Sequence, residues 1–456
     1  MRARIYDKTK KGMSKTKCID AIGEIKMMNF KTNQIFSTGD FKNGKTFVLA
    51  AAFFLFSLFL SAVQTKADVV TDWNNIADTV AVTNAKRAPA ASVVDMAYVH
   101  AAVYDAVNAI DGRYSPYAVS LSNVPKTSSQ DAAAASAAYH VLKTLFPGQN
   151  SFLELKYVQY LENIPDGGAK TKGVEVGREV ANRFMALRAN DGRDAAVPFS
   201  QGSGPGAWQP TPPAYSPAPL TPWMAYMRPF MIESPSQFRA AGLPSLTSDE
   251  WARDYNETKN YGALNSSVRS PAQTEIGRFY AEHTGAQYSR ILRSFAAGQR
   301  LSVADQARLF AMLYLAMADS LIAGWDSKYY FAYWRPVTAI RSGDTDGNEL
   351  TEADLNWTPL VATPGHPEYP AAHGCLTAAF AEALRAFYGT KKVRVTLSST
   401  VTNTTRTFDN TDDLVKEIID ARIFGGMHYR TSGVHGTVIG KKVARLMNRR
   451  YFQPLQ

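Results

Sequence analysis

The chain has 456 residues, 45% of them apolar and 20% charged, the composition of a globular protein long enough to bury a large core. Its net charge of +10 suggests an acidic partner. However, of the 50 basic and 40 acidic residues, 12 and 4 fall within residues 1–67, which leaves 38 against 36 and a net charge of +2 for the rest. A near-neutral body lacks the basic footprint that nucleic-acid binding requires.

The basic head has the layout of an export signal. Lys42 and Lys45 precede "FVLAAAFFLFSLFLSAV" (47–63), an uncharged run that ends in small residues, and Thr65 and Ala67 suit a signal-peptidase site. Residues 1–67 are therefore read as an export signal and basic leader cleaved after Ala67, which implies a secreted or periplasmic protein. An uncleaved N-terminal anchor is the alternative, because an uncharged run of seventeen residues approaches the length that spans a bilayer. Met28 offers a second start. Cys18 leaves with the signal and Cys375 remains as a single thiol, so the body carries no internal disulfide.

Beyond residue 67 the periodicity is helical and predicts a mainly α protein. No further membrane-spanning segment is expected. "SVVDMAYVHAAVYDAVNAI" (92–110) puts Met96, Val99, Val103, Val107 and Ile110 on one stripe, with Ser92 as N-cap. The same pattern predicts helices near 130–146, 151–163, 172–189, 249–261, 270–298, 303–325, 372–388, 412–424 and 433–450. Residues 194–230 carry nine prolines together with Trp208, Trp223 and Tyr226, and are read as a crossover packed on the surface. That loop divides an N-terminal helical region (68–230) from a C-terminal one (231–456). "TVAV" (79–82) and "VRVTLSSTVTNTTRTF" (393–408) are the strand candidates, the second as a short hairpin. "DTDGNE" (344–349) opens like a calcium loop, but Leu355 stands where the twelfth-position acid belongs, so a polar turn is expected.

Three segments of the C-terminal region carry chemistry. In "KYYFAYWRP" (328–336), Lys328 and Arg335 bracket an aromatic run; if 326–340 is one helix, seven residues bring both cations near one face. Buried there, each needs a counter-charge. In "HPEYPAAHG" (366–374), Ala371 and Ala372 open a helix and His373 sits in its first turn, where free N–H groups attract an anion. In "TDDLVKEIIDARIFGGMH" (411–428), Thr411 or Asp412 caps a helix and Leu414, Ile418 and Arg422 share its apolar stripe. Gly425 and Gly426 end the helix and His428 follows the break. Arginine forks, a lysine and two imidazoles suit a phosphate-like oxyanion. They suit zinc poorly, since clustered cations repel a metal ion.

In order and spacing the three segments resemble the motifs of the superfamily of vanadium-dependent haloperoxidases and type 2 phosphatidic acid phosphatases: K-x6-R-P, P-S-G-H and S-R-x5-H. Here they read "KYYFAYWRP", "PAAH" and "ARIFGGMH", and the flanking text is most similar to the bacterial haloperoxidase-like branch. The resemblance implies an all-α fold of packed helix bundles with the anion site in the C-terminal bundle. It implies that Lys328, Arg335 and Arg422 hold the oxygens of vanadate or phosphate, and that His373 is the acid/base. His428 would be the vanadium ligand, or the nucleophile on phosphorus in a phosphatase. His366 and Trp325 are candidates for tuning halide choice. The implied reaction is oxidation of halide by hydrogen peroxide at a His-ligated vanadate cofactor. The alternatives are an exported acid phosphatase acting through a phosphohistidine, or an oxyanion-binding protein without turnover, against which the two histidines speak. The implied partners are small molecules (hydrogen peroxide, halide or a phosphoester), with no nucleic acid and, after signal cleavage, no membrane. Ala371 and Ala372 stand where the family has Ser and Gly, and Ala421 where it has Ser.

Overall fold

The computed structural model describes residues 68–455; the expected export signal and Cys18 lie outside them. Among the described residues there are thirteen α-helices and one two-stranded hairpin. The first helices are α1 (Val69–Asp78), α2 (Pro89–Asp111), α3 (Gln130–Leu145), α4 (Asn150–Glu162) and α5 (Gly168–Leu187). After the Pro-rich crossover come α6 (Asp249–Gly262), α7 (Pro271–Phe279), α8 (Thr284–Ala297), α9 (Val303–Phe331), α10 (Pro336–Arg341) and α11 (Ala372–Tyr388). The antiparallel strands β1 (Val395–Ser398) and β2 (Thr405–Phe408) lead to α12 (Thr411–Phe424) and α13 (Arg430–Arg450).

Local chemistry sets many of these boundaries. Ser129, Ser248, Ser270 and Ser302 accept a backbone N–H at the starts of α3, α6, α7 and α9, as short hydroxyl side chains do at N-caps. Helix α2 starts three residues before the expected cap Ser92. Pro89, with φ already helical, takes its first position, and Ser92 Oγ donates to Pro89 O instead. Asn410, rather than Thr411 or Asp412, caps α12. The stretch 270–298 is two helices, because the chain turns at Tyr280–His283 and restarts with the His283 ring as cap. "TVAV" is not a strand but a π-helical continuation of α1 (Thr79–Asn84), which keeps Val80 and Ala81 in the core. The 393–408 hairpin forms as expected.

The central element is α9. It packs against α2 on one side and α11 on the other, with α3 and α5 beyond the first and α12 and α13 beyond the second. It is long and apolar enough to span a membrane, contrary to the expectation for residues beyond 67; in this fold 94% of its most apolar window is covered by protein. A helix apolar on all sides belongs inside a core. The Pro-rich crossover is packed, with Trp208 and Trp223 buried and Tyr226 left outside. "DTDGNE" is a turn in which Asp346 accepts from Trp251 Nε1 at 2.7 Å and from Thr351 Oγ1.

One expectation fails where it matters most. Residues 326–340 are not one helix: α9 ends at Phe331, Ala332 takes a left-handed conformation (φ 43°), and Arg335 is the N-cap of α10. The crossover causes the break, since Trp208 N donates to Ala332 O (2.7 Å) and Trp334 N donates to Gly206 O (2.9 Å). Lys328 and Arg335 are both fully buried, but they approach from two elements.

Helices α11 and α13 run in backbone contact because glycines face the partner. A Cβ on Gly440 would lie 2.1 Å from Cys375 O, and one on Gly436 would lie 2.6 Å from Ala371 O. This contact fixes the α11 N-terminus. Gly440→Ala is therefore expected to destabilise the protein by about 1–3 kcal/mol, although alanine is the better helix former by about 1 kcal/mol. A urea midpoint at or above the wild-type value would show that the two helices need no such approach.

Candidate active site

The three cations converge under the α11 N-terminus. Lys328, in the last turn of α9, donates from Nζ to Pro367 O (3.0 Å) and Glu368 O (2.8 Å). Arg335 donates from Nε to His366 O (2.8 Å) and from Nη1 to Met427 O (3.0 Å). Its Nη1 lies 3.3 Å from His428 Nε2, and its Nη2 lies 3.0 Å from His366 Nδ1. Arg422 donates to Tyr280 O (3.0 Å) and to Met427 Sδ (3.0 Å), while its buried Nε has no hydrogen-bond partner among the described residues.

A cavity of ≈ 210 Å³ opens on this cluster, and Trp325, His366, His373, Arg422, Met427 and His428 are among its walls. Lys328 and Arg335 stand behind those walls and act through the 366–368 segment and His428. Trp325 donates to Thr221 Oγ1 (3.0 Å), with its ring 5.1 Å from that of His366. The N–H groups of the first turn of α11 have no intrahelical acceptor, and the N-cap residue Ala371 offers them no side-chain one. His373 lies in that turn, with Nε2 3.1 Å from Thr284 Oγ1.

The sequence gives no sign of the one carboxylate that joins the cluster. Glu368 is fully buried, and its Oε1 lies 2.7 Å from His428 Nδ1 and accepts from Tyr429 N at 3.3 Å. Asp326, two residues before Lys328, is held by Arg239 rather than by Lys328. The bonds fix the His428 tautomer: Arg335 can only donate, so Nε2 accepts and the ring proton sits on Nδ1, toward Glu368. The Nε2 lone pair is thereby held beside Arg335 at the cavity. Thr284 and Met427 were equally hidden in the sequence. Only their position in the fold brings them to the site.

Charge is the dominant strain. Burial, then repulsion from Arg335, lowers the Lys328 pKa well below its ordinary value. Burial lowers Arg335 to about 10, and burial with repulsion from Arg335 lowers Arg422 to about 9. Burial followed by the nearby cations keeps His366, His373 and His428 neutral, well below 6.5. Burial raises Glu368 to about 7, against the pull of Lys328 and Arg335.

A carboxyl group raised from 4.5 to about 7 stabilises the folded state fully below pH 4.5 and loses that contribution as pH rises through 7. The stability of wild type relative to Glu368→Gln is thus expected to fall between pH 4.5 and 7. Urea unfolding across that window measures it, and a constant difference would mean that Glu368 titrates normally.

The comparisons with known proteins agree with this geometry. Residues 308–456 match the model of the second helical-bundle domain of vanadium chloroperoxidases (VCPO). Vanadium chloroperoxidase of Curvularia inaequalis is 28% identical over 262 residues, which cover 46% of this chain and 42% of that protein's length. A bacterial vanadium-dependent iodoperoxidase superposes with a TM-score of 0.72 at 22% identity, covering 85% of this chain and 97% of the other. A bacterial vanadium-dependent chloroperoxidase gives a TM-score of 0.67 at 18% identity, covering 81% and 93%. The fold is the helical-bundle fold of the vanadium haloperoxidases. Residues 308–456, which carry all three motifs, match the second-domain model of that family, and the chain spans less than half the length of the curated relative.

Proposed function

We propose that this protein oxidises halide with hydrogen peroxide at a vanadate held by Lys328, Arg335, Arg422 and His428. The observation that carries the reading is the charge balance: Arg422 lines the cavity, Lys328 and Arg335 are buried directly behind its walls, and among the described residues Glu368 is the carboxylate bonded into the cluster. Uncompensated buried charge is costly, and an oxyanion in the cavity is the counter-charge that relieves it. The residues fit such a group. Arg422 Nε has no hydrogen-bond partner among the described residues, Ala371 offers the α11 N-terminus no side-chain cap, and His428 Nε2 presents a lone pair.

Bound vanadate would supply a Lewis acid that activates peroxide toward a halide. The chain's own part is binding and proton transfer. The cations hold the oxyanion and draw its charge. Glu368 keeps the His428 proton on Nδ1 so that Nε2 stays free to bind. His373, held neutral by burial and tied to Thr284, would accept a proton from a bound peroxide and donate it to an oxygen as it leaves. Trp325 and His366 form the wall beside which a halide would approach.

The Nε2 lone pair backed by Glu368 also suits a nucleophile on phosphorus, so a phosphomonoesterase using a phosphohistidine is the second reading. Purified protein supplied with hydrogen peroxide and iodide or bromide is expected to oxidise halide only when orthovanadate is added. A folded protein without halide oxidation that hydrolyses phosphomonoesters would establish the second reading instead. The uncharged run at 47–63 behind Lys42 and Lys45 supports export, and we propose that the enzyme works outside the cytoplasm.

Two substitutions probe the site. Arg335→Ala is expected to abolish vanadate-dependent activity while leaving the helical circular dichroism signal intact; retained activity would make the cation structural. Ala371→Ser restores a hydroxyl at the α11 N-cap. A hydrogen bond to a charged group is worth about 1.5–3 kcal/mol, so vanadate affinity is expected to rise at least about tenfold. An unchanged dissociation constant would show that water already fills that position.

A further inference from the structure

Met427 immediately precedes His428, is 1% exposed to bulk solvent, and forms part of the cavity wall. Its Sδ accepts from Arg422 Nη2 at 3.0 Å. A thioether is a weak acceptor for a guanidinium, and here it engages one of the three cations of the oxyanion cluster. Met427 thus borders the space in which an oxidant would form, with its sulfur on a cation of the same wall. Thioethers are oxidised readily to sulfoxides, which are polar and strongly accepting. Other buried methionines, such as Met317 in α9 and Met447 in α13, lie away from this cavity.

We propose that Met427 is a self-modification site, oxidised to the sulfoxide by the hypohalous acid the enzyme generates; the inference rests on the haloperoxidase reading. In net terms the sulfur loses two electrons, an S–O bond forms, the oxygen–halogen bond breaks, and halide and a proton leave. The sulfoxide oxygen then takes the Arg422 guanidinium as a strong acceptor and occupies space beside His428. It withdraws Arg422 from the oxyanion, and activity limits itself as turnover proceeds.

Two arms of one experiment test this. In the first, the protein without vanadate is treated with less than stoichiometric hypobromous acid and analysed by peptide mass spectrometry. A gain of one oxygen at Met427 ahead of Met317 and Met447 is expected, together with at least about a tenfold loss of orthovanadate affinity. Met427→Leu, close in volume and shape, should keep its affinity through the same treatment. An unmodified Met427, oxidation no faster than at Met317, or unchanged vanadate affinity after oxidation overturns the proposal. In the second arm, the protein turns over peroxide and bromide with vanadate. Met427 oxidation that requires all three reagents is expected. Hypobromite detected in solution with Met427 intact overturns the proposal alone. No halide oxidation at all overturns the functional reading, and the self-modification proposal falls with it.

Discussion

The structure depends on one electrostatic constraint: Lys328, Arg335 and Arg422 are buried together, Arg422 in a cavity wall and the other two behind it, and Glu368 is the carboxylate bonded to the cluster among the described residues. After burial itself, Arg335 depresses the ionisation of both Lys328 and Arg422. A fold pays such a cost only where surrounding packing holds it in place. Helix α9, enclosed on all sides, holds Lys328. The left-handed break at Ala332, tied to the Pro-rich crossover, turns Arg335 inward. The glycine contact between α11 and α13 sets the helix start that carries His373. The loop after Gly426 delivers His428 onto Glu368.

Much of the frame is legible in the sequence because burial imposes the helical period on apolar residues. The runs that became α3, α6, α11 and α13 differ from their expected limits by only a few residues. The errors have local physical causes. Pro89 starts α2 ahead of a serine that looked like a cap, and "TVAV" continues α1 as a π-helix that buries Val80 and Ala81. The cations were legible as a pair for the wrong reason. Their seven-residue spacing does not reflect a shared helix face, since the chain breaks between them and the crossover, distant in sequence, decides the geometry.

The site was only half legible. Charged residues within apolar stripes announce themselves, which is why Lys328, Arg335 and Arg422 stand out, and the motif spacing adds the two histidines. Glu368, Thr284 and Met427 carry no periodic signal, and each acquires its role only through a tertiary contact. Glu368 is the most consequential, because it fixes which imidazole nitrogen of His428 meets the cavity. The separation of vanadium and phosphorus chemistry on one scaffold then rests on what binds, since the cations recognise charge and shape common to both oxyanions.

The most direct test of the buried oxyanion site is calorimetric titration of orthovanadate into the protein, with the thermal unfolding midpoint followed in parallel. Binding to the folded state alone raises stability in proportion to the logarithm of ligand excess. One site per chain and a rising midpoint are the predicted result. No heat of binding and an unmoved midpoint, for orthovanadate and for phosphate alike, would contradict the account and make the three cations a structural feature of the core.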